Sequence, residues 1–412
     1  MNLLIPLFSP ATGTWGGLTR AVAVAHAAEA AGHRVAFCTS GYLAGNLRAR
    51  GYHVYAMPAA SLLGLPRWLA RPVSRYAARL ATDTLWGQPL GSIWEVLNHS
   101  GVLSRRYLPR LVEAELRAAH DYGADALFTD LDPGAFIIAR LLNLPVATAY
   151  ASPMAAGSGS RAWRLADRAF APLLAQCGLP PQNPDELFFG PDVLKLVPSI
   201  PELDGADAAR ADIRYVGPLL GAIEPGYPGD CVTEPGRRYV FCYLGSGSIE
   251  RSAIERVLPQ VFAGGSRICI VSGYNEASGE RAGNVRYCPY VDARTILSQC
   301  DWTICHGGQS TVIQSLQAGV PLLIFPGNNA ERRFNAQRVQ AQGAGFLGEE
   351  HDWNPTWLRE RLDATGPATQ AARLGAALSA LGGAPVAVQA IEEWLRRAVW
   401  RREDGAFDER PQ

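Results

Sequence analysis

The sequence lacks an excess of either charge, since Lys plus Arg and Asp plus Glu each number 38. A balanced charge gives no general attraction to nucleic acid, so no nucleic-acid partner is expected. No apolar run approaches the roughly 20 residues that span a bilayer. Residues 2–8 are also too short for a signal peptide, and a loop with Ser9, Pro10 and Gly13 follows them. We therefore predict a cytoplasmic protein.

Clustered cysteines are also missing, because the eight in the chain are scattered singly. This spacing fits neither a disulfide framework nor a zinc site. Several of them stand inside strand-like apolar runs: Cys38, Cys242, Cys269 and Cys305. We therefore predict reduced thiols in the core and no metal site.

The pattern of apolar runs indicates the fold class. With 412 residues, 48% of them hydrophobic and 18% charged, the chain can build two cores. Apolar runs alternate with helical patterns, which is typical of βαβ units and parallel sheets. The predicted strands are 2–8, 34–39, 126–129 and 145–149 in a first set, and 239–244, 268–272, 285–287, 302–305 and 322–325 in a second. We therefore predict an α/β fold with two sheets.

A segment rich in proline and glycine, 216–238, separates the two sets of strands and has the composition of a linker. A helical pattern with an apolar face closes the chain before its last residues. The predicted division is a first domain at 1–217, a linker at 218–237, a second domain at 238–385, a final helix at 386–402 and a tail at 403–412.

The turn after the strand at 302–305 is the most informative motif, and it reads His306-Gly-Gly-Gln-Ser-Thr311. Two glycines and small hydroxyl residues allow backbone N–H groups to approach an anion at the start of a helix. The lysine of a Walker loop is absent, so triphosphate hydrolysis is not expected. An ordinary glycine-rich turn is the alternative explanation.

The motif and the residues after it resemble the donor site of GT-B glycosyltransferases that use nucleotide sugars, the UGT-like family 1. That family follows His-Gly-Gly-x-Gly-Thr with Gly-Val-Pro, a further Pro, Asp-Gln and Asn-Ala. The matching residues here are Gly319-Val-Pro321, Pro326 and Asn335-Ala336, and near the N-terminus Gly13-Thr-Trp-Gly-Gly17 ahead of Ala31-Gly-His-Arg-Val35. The resemblance implies two Rossmann-like, doubly wound domains facing across a cleft, with the final helix crossing back to the first domain.

The resemblance also implies a UDP- or TDP-sugar as co-substrate, with no other cofactor. The aromatic ring of Tyr290 could stack on the base or could belong to the core, and His306 would donate to a diphosphate oxygen. The donor-binding residues implied are Gly16, Gly17, Ser246, Tyr290, Val291, His306, Gly308, Gln309, Ser310, Thr311, Gln314, Glu331 and Arg332.

Several of these positions depart from the family pattern, including Ser310 in place of a Gly. Gln314 replaces a Glu that grips the ribose, and Glu331-Arg332 replaces the Asp-Gln pair that faces the sugar. Arg332 offers only donors and suits an anion, so an acidic or acceptor-rich sugar is one reading. A salt bridge between Arg332 and Glu331 is the other.

The largest departure concerns the catalytic base, because inverting transfer needs a group that takes the acceptor proton. In the sterol-, vancomycin- and rhamnolipid-type branch this is an Asp, fifteen residues before the position of Gly32, and here that position is Gly17. Asp130 or Asp132, after a predicted strand, could act instead, or the acceptor could need no base. Arg20 could hold an anionic acceptor or could be a solvated side chain.

The acceptor region, roughly 60–115, contains Trp86 and Trp94, predicted to contact the acceptor, and an arginine stripe at 67–79. The stripe suggests peripheral membrane contact or is a solvated helix face. We expect an inverting hexosyltransferase for a small hydrophobic natural-product or lipid acceptor. The alternatives are a non-catalytic nucleotide-binding auxiliary protein that has lost the base and, less well supported, a sugar-nucleotide epimerase.

Overall fold

The computed structural model describes residues 1–8, 15–59, 84–85, 88–89, 92–221, 236–245, 249–274, 281–289 and 291–405. These residues contain two seven-stranded sheets with helices packed on their faces. All strand neighbours in both sheets are parallel except for one short edge strand. The predicted α/β fold with two sheets is confirmed.

The first sheet is built from residues before 216. Its strands are β1 (Asn2–Pro6), β2 (Arg34–Thr39), β3 (His53–Ala56), β6 (Ala126–Thr129), β7 (Val146–Ala149), β8 (Val193–Val197) and β9 (Ile213–Tyr215). Their order in the sheet is β3-β2-β1-β6-β7-β8-β9. Strands β4 (Thr84–Leu85) and β5 (Gln88–Pro89) form a separate antiparallel pair.

Within the described residues, seven helices accompany this sheet: α1 (Trp15–Ala30), α2 (Gly41–Ala49), α3 (Ile93–His99), α4 (Leu108–Tyr122), α5 (Pro133–Leu141), α6 (Arg161–Gln176) and α7 (Pro184–Phe189). Side chains of α1 and α2 pack on one face of the sheet. Side chains of α3 to α7 pack on the other face. Helices on both faces explain why these strands are apolar on both sides.

The second sheet has the order β12-β13-β11-β10-β14-β15-β16, with only β12 antiparallel. Its strands are β10 (Arg238–Tyr243), β11 (Arg267–Ser272), β12 (Arg281–Ala282), β13 (Val285–Cys288), β14 (Cys300–Cys305), β15 (Leu322–Ile324) and β16 (Gly345–Leu347). Its helices are α8 (Arg251–Phe262), α9 (Gln309–Gln317), α10 (Ala330–Ala341), α11 (Pro355–Leu362) and α12 (Gly366–Ala380).

The last helix, α13 (Ala384–Gly405), extends slightly beyond the predicted 386–402. Its residues Val388 and Ile391 are buried with α1 in the core of the first sheet. The His33 ring also reaches Glu392 Oε1 at 2.5 Å. Among the described residues no single helix is long and apolar enough to cross a membrane. Helices α12 and α13, which are bent by 42° relative to each other, together have the length and composition of a span, and nothing further supports one.

Each predicted strand is present to within two residues, but several strands were missed. The missed β8 contains Lys195, which is 1% exposed. Its ammonium donates to the carbonyl oxygens of Phe189 (3.0 Å) and Gly190 (2.6 Å) and pairs with Asp212. A buried ammonium group is stable only with such hydrogen-bond and charge partners. These partners lie outside β8, so the strand pattern alone does not reveal them.

The cysteine prediction needs one correction, because Cys288 is disulfide-bonded. Six cysteines are free, as predicted: Cys38, Cys177, Cys242, Cys269, Cys300 and Cys305.

Candidate active site

The strand order reverses beside the first strand of each sheet. β1 lies between β2 and β6, and β10 lies between β11 and β14. In open α/β sheets, ligands bind beyond the carboxyl ends of the strands at these points. Asp130 follows β6 and His306 follows β14. A hydrogen bond from Arg20 Nη1 to Gln309 Oε1 (3.4 Å) connects the two sides.

Asp130 lies against the first turn of α1. A Cβ atom on Gly17 would overlap Asp130 Oδ2 and would lie 3.3 Å from Asp130 Cγ. The carboxylate therefore occupies the space that a side chain at position 17 would need. The next residue, Leu131, is buried and has a φ of 64°, a conformation that costs free energy in residues with a Cβ. The surrounding structure therefore holds this turn in place against a local cost.

Arg20 holds the Asp130 carboxylate with one nitrogen. Its Nη2 donates to Oδ1 (3.2 Å) and to Oδ2 (2.9 Å). Burial lowers the pKa of Arg20, but the charge and hydrogen bonds of Asp130, with a smaller contribution from Glu331, outweigh that effect and raise it. Arg20 is the sixth residue of α1, beyond the first turn in which the helix dipole acts most strongly. Asp130 supplies the compensating negative charge.

Asp132 lies in a different environment, fully buried beneath the cleft. Its Oδ1 accepts the N–H of Gly134 (2.9 Å) and caps α5. Beside it lies the carboxyl of Glu115, also fully buried. Burial raises the pKa of Asp132 to about 6, and burial together with the charge of Asp132 raises the pKa of Glu115 well above its usual value. The two carboxyl groups are therefore placed to share a proton.

Of the two predicted bases, the structure brings only Asp130 to the cleft. No donor among the described residues reaches Asp132 Oδ2 or either oxygen of Glu115, which fits a pair that is bonded to itself. Asp132 has no exposed surface to offer a substrate. Its place is structural, as the cap of the helix that follows the Asp130 turn.

The predicted phosphate turn requires both of its glycines. Gly307 has a φ of 86°, and a Cβ there would lie 2.7 Å from Ile324 Cγ2. A Cβ on Gly308 would lie 2.8 Å from His306 Nε2. Gly308 caps α9 without a side-chain hydrogen bond, so no cap side chain occupies the first N–H groups of the helix. Ser310 and Thr311 stand in that first turn, and an anion is favoured there.

His306 is neutral near pH 7. Burial, followed by the charge of Arg332, lowers the pKa of His306 to about 4. Its Nδ1 lies 3.4 Å from the carbonyl oxygen of Tyr243. A proton on Nδ1 would make Nε2 an acceptor. The predicted donation to a diphosphate oxygen therefore requires the proton on Nε2, or a proton gained when the anion binds.

Helix α10 brings the predicted sugar-facing pair to the same place. Its cap Asn329 accepts the N–H of Arg332 (3.0 Å) at Oδ1. Burial raises the pKa of Glu331, while the charges of Arg20 and Arg332 oppose that rise and Asp130 adds to it. Asn335 Nδ2 donates to Gly307 O (2.9 Å), which ties α10 to the phosphate turn. Glu331 thus lies within electrostatic reach of Asp130 and Arg20.

Other predicted residues are placed less favourably or cannot be placed. Trp94 is fully buried and packs edge-on against Phe188, with ring centroids 5.2 Å apart, so it has no surface for an acceptor. The N–H of Val291 donates to Ser272 Oγ (2.9 Å), which leaves no amide proton there for a base. Gln314 is partly exposed on α9. Ser246, Tyr290, Trp86 and the arginine stripe at 67–79 lie outside the described residues.

Sequence reasoning missed two residues of this neighbourhood. Glu115 looks like a polar residue of an amphipathic helix, but it faces the sheet and pairs with Asp132. Asn335 was noted only as part of a motif, and its role depends on the bond to Gly307. The one sequence signal for the position of Glu115 is the glycine at 134, because a Cβ there would overlap the Glu115 carboxylate.

Comparison with known proteins gives the chain a family context. Residues 255–378 match the family model described as erythromycin biosynthesis protein CIII-like, C-terminal domain. A PGL/p-HBAD biosynthesis rhamnosyltransferase of Mycobacterium bovis (strain BCG / Pasteur 1173P2) is 24% identical over 318 residues, which cover 66% of this chain and 70% of that protein.

Solved structures show the same fold. The glycosyltransferase of kitacinnamycin has a TM-score of 0.73 at 18% identity, over 95% of this chain and 98% of that one. A spinosyn rhamnosyltransferase with spinosyn aglycone has a TM-score of 0.68 at 20% identity, over 95% and 100%. The same enzyme with thymidine diphosphate has a TM-score of 0.64. The chain therefore has the fold of these glycosyltransferases, and its residues 255–378 are similar to the erythromycin biosynthesis protein CIII-like C-terminal domain.

Proposed function

We propose that the chain transfers a sugar from a UDP- or TDP-sugar to a hydroxyl group of a small hydrophobic acceptor, with inversion at the anomeric carbon. The observation that carries this proposal is the position of Asp130, whose carboxylate fills the space above Gly17. In the similar family that space belongs to the catalytic base. A carboxylate from the turn after β6 supplies the same chemical group from a different point in the chain.

The donor half of the proposal is supported by the turn after β14. The open start of α9, with Ser310 and Thr311, suits a diphosphate, and Glu331 on α10 suits sugar hydroxyls. The spinosyn rhamnosyltransferase of similar fold binds thymidine diphosphate. We place the donor in the second domain, 238–385, and the acceptor in the first, 1–217.

The transfer step follows from those positions. The acceptor O–H gives its proton to the Asp130 carboxylate while its oxygen attacks the anomeric carbon. The bond from that carbon to the diphosphate breaks, and its electron pair leaves with the diphosphate oxygen. Asp130 belongs to the first sheet and the phosphate turn to the second, so attack and departure take place on opposite faces of the sugar. No metal is needed, because the helix start and the cationic side chains stabilise the leaving charge.

Two observations bear on which sugar the donor carries: the activities of similar proteins and the residues on α10. The mycobacterial and spinosyn proteins are both rhamnosyltransferases. Glu331 and Arg332 differ from the Asp-Gln pair of the similar family. We propose a donor other than a neutral glucose type, either a deoxyhexose or a uronate, for an enzyme of the cytoplasm. The acceptor is a natural-product aglycone or a lipid.

A non-catalytic auxiliary protein is the second candidate, and one observation favours it. Arg20 holds both oxygens of Asp130, so in this arrangement the carboxylate is occupied by Arg20 rather than open to an acceptor hydroxyl. A chain that only bound the nucleotide would tolerate such a pair permanently.

Both candidates can be tested with the purified chain. It is incubated with TDP-rhamnose, UDP-glucose and UDP-glucuronate, with and without a panel of aromatic and lipid alcohols, and with and without EDTA. Mass spectrometry then detects released nucleotide and glycosylated product, and NMR of the product gives its anomeric configuration. Transfer with inversion and without metal supports the enzyme. Nucleotide retention without transfer or hydrolysis across the panel supports the auxiliary protein.

A further inference from the structure

The guanidinium of Arg20 lies at the meeting point of the two domains. Its Nη2 is bonded to Asp130, and its Nη1 is 3.4 Å from Gln309 Oε1. Gln309 is the first residue of α9, the helix whose start has no side-chain cap. The same guanidinium therefore contacts the proposed base and borders the proposed diphosphate site.

The Arg20 side chain also has room to change partners. It is 21% exposed, and the Asp130 side chain is 11% exposed. A Cβ on Gly16 would lie 3.5 Å from Nη1 and 3.7 Å from Nη2, so the guanidinium lies across a residue without a side chain. Burial of the pair is incomplete, and no backbone carbonyl among the described residues bonds to this guanidinium. Because the guanidinium already touches both partners, a rotation about its long stem can move the charge between Asp130 and Gln309.

We propose that Arg20 couples donor binding to the release of the base. Without donor, Arg20 neutralises Asp130. When the diphosphate of the donor occupies the start of α9, the guanidinium turns from Asp130 to a diphosphate oxygen, which carries more negative charge and offers equally good hydrogen-bond geometry. Asp130 then loses both hydrogen bonds and becomes a proton acceptor. This inference rests on the proposed function, and it assigns Arg20 to the diphosphate rather than to the acceptor.

The exchange has two consequences for the reaction. Without donor, Asp130 is held in the ion pair with Arg20. The acceptor proton is therefore transferred to Asp130 only when a donor is bound. The guanidinium is then in place to stabilise the diphosphate oxygen that receives the electron pair of the broken bond. The charged side chains nearby are Glu331 and Arg332 on α10. Glu331 keeps the area acidic when Arg20 turns away, which favours the return of Arg20 after the diphosphate leaves.

The test measures UDP and TDP binding rather than transfer. Asp130 competes with the diphosphate for Arg20, so Asp130→Asn should tighten nucleoside diphosphate binding about tenfold. The unliganded variant no longer has to break a charge-assisted hydrogen bond between Arg20 and Asp130 before it binds, and one such bond contributes about this factor. Arg20→Gln should weaken binding by a similar factor. The decisive variant is the double change Arg20→Gln with Asp130→Asn.

Simple charge repulsion makes a different prediction for that double variant. If Asp130 acted only by repelling the anion, Asp130→Asn would tighten binding equally with Arg20 or Gln at position 20. If the two compete for one guanidinium, the effect of Asp130→Asn disappears in the Arg20→Gln background. Isothermal titration calorimetry gives the four dissociation constants, and thermal melting confirms that each variant is folded.

The possible outcomes distinguish a failure of the Arg20 exchange from a failure of the proposed transfer function. A coupling of about tenfold between positions 20 and 130 supports the exchange of partners. Additive effects, or an Asp130→Asn variant whose nucleotide affinity is unchanged, overturn it while leaving the transfer reaction intact. Failure of the unmodified chain to bind either nucleotide overturns the inference together with the donor site.

Discussion

The Asp130 carboxylate and Gly17 fit against each other across two elements of the first domain. Any Cβ at position 17 would overlap Asp130 Oδ2. The missing side chain and the carboxylate are therefore parts of one arrangement, in which the base is carried by the turn after β6 and the helix makes room for it. The ion pair with Arg20 depends on the same fit.

Gly17→Ala should consequently lower activity without unfolding the chain. The new methyl group displaces the carboxylate by about 1 Å, and a misplacement of that size costs on the order of a hundredfold in turnover. Gly45→Ala is the matched control, because Gly45 is also in a helix of the first domain and a Cβ there meets nothing within 4 Å. Equal turnover in the two variants, measured with the same donor and acceptor, would show that the fit at Gly17 does not matter.

The phosphate turn should respond to removal of its polar side chains. His306→Ala and Thr311→Ala should each weaken UDP or TDP binding by about tenfold or more, because a hydrogen bond to a charged group contributes about 1.5 to 3 kcal/mol. Gln317→Ala, at the far end of α9, is the control and should bind normally. Calorimetric titration measures all three. If the two turn variants bind like the control, the diphosphate is not held at this turn.

The pairing of Glu115 with Asp132 makes a prediction about stability and pH. Both carboxyl groups have a native pKa above the usual 4.5 and 3.8, with Asp132 at about 6, so the native state holds protons more tightly than the unfolded state. The stabilisation is complete below about pH 4 and is lost as pH rises through 6 and beyond. Cys38 and Tyr107 also face this pair and gain raised pKa values, mainly from burial.

Glu115→Gln should flatten that dependence, because an amide does not titrate and can donate to Asp132 Oδ2. Denaturation of the variant and the unmodified chain between pH 5 and pH 8 gives the two slopes. Glu113→Gln is the control, since the Glu113 side chain is 63% exposed on the same helix and should leave the slope unchanged. A variant at position 115 with the original slope would mean that the pair does not share a proton.

The sequence predicts the fold class and the central strands of both sheets, but only part of the site. Periodicity and length give both sheets, and the spacing around His306 gives the phosphate turn, because these depend on local pattern. The partners of Asp130 and Asp132 do not follow from spacing. Two carboxylates one residue apart look equivalent in sequence, and the left-handed Leu131 between them sends one to the cleft and the other into the core. Burial of Trp94 likewise depends on α7, a distant element.

The residues on α10 predict donor preference. Glu331→Asp together with Arg332→Gln restores the pair found in the similar family and should shift preference toward neutral hexoses, because specificity is a difference between two affinities. Competition between UDP-glucose and UDP-glucuronate or TDP-rhamnose measures the ranking. Ser252→Ala, on α8 of the same domain, serves as the control. An unchanged ranking in the double variant would mean that neither residue contacts the sugar.

The most direct test of the account is the turnover of Asp130→Asn beside that of Asp132→Asn. General-base catalysis contributes on the order of a hundredfold or more, so Asp130→Asn should lose at least that factor while still binding UDP or TDP. Asp132→Asn keeps an oxygen to cap α5 and should retain most of its turnover once thermal melting shows that it is folded. Transfer by Asp130→Asn at nearly the unmodified rate would contradict the assignment of Asp130 as the base.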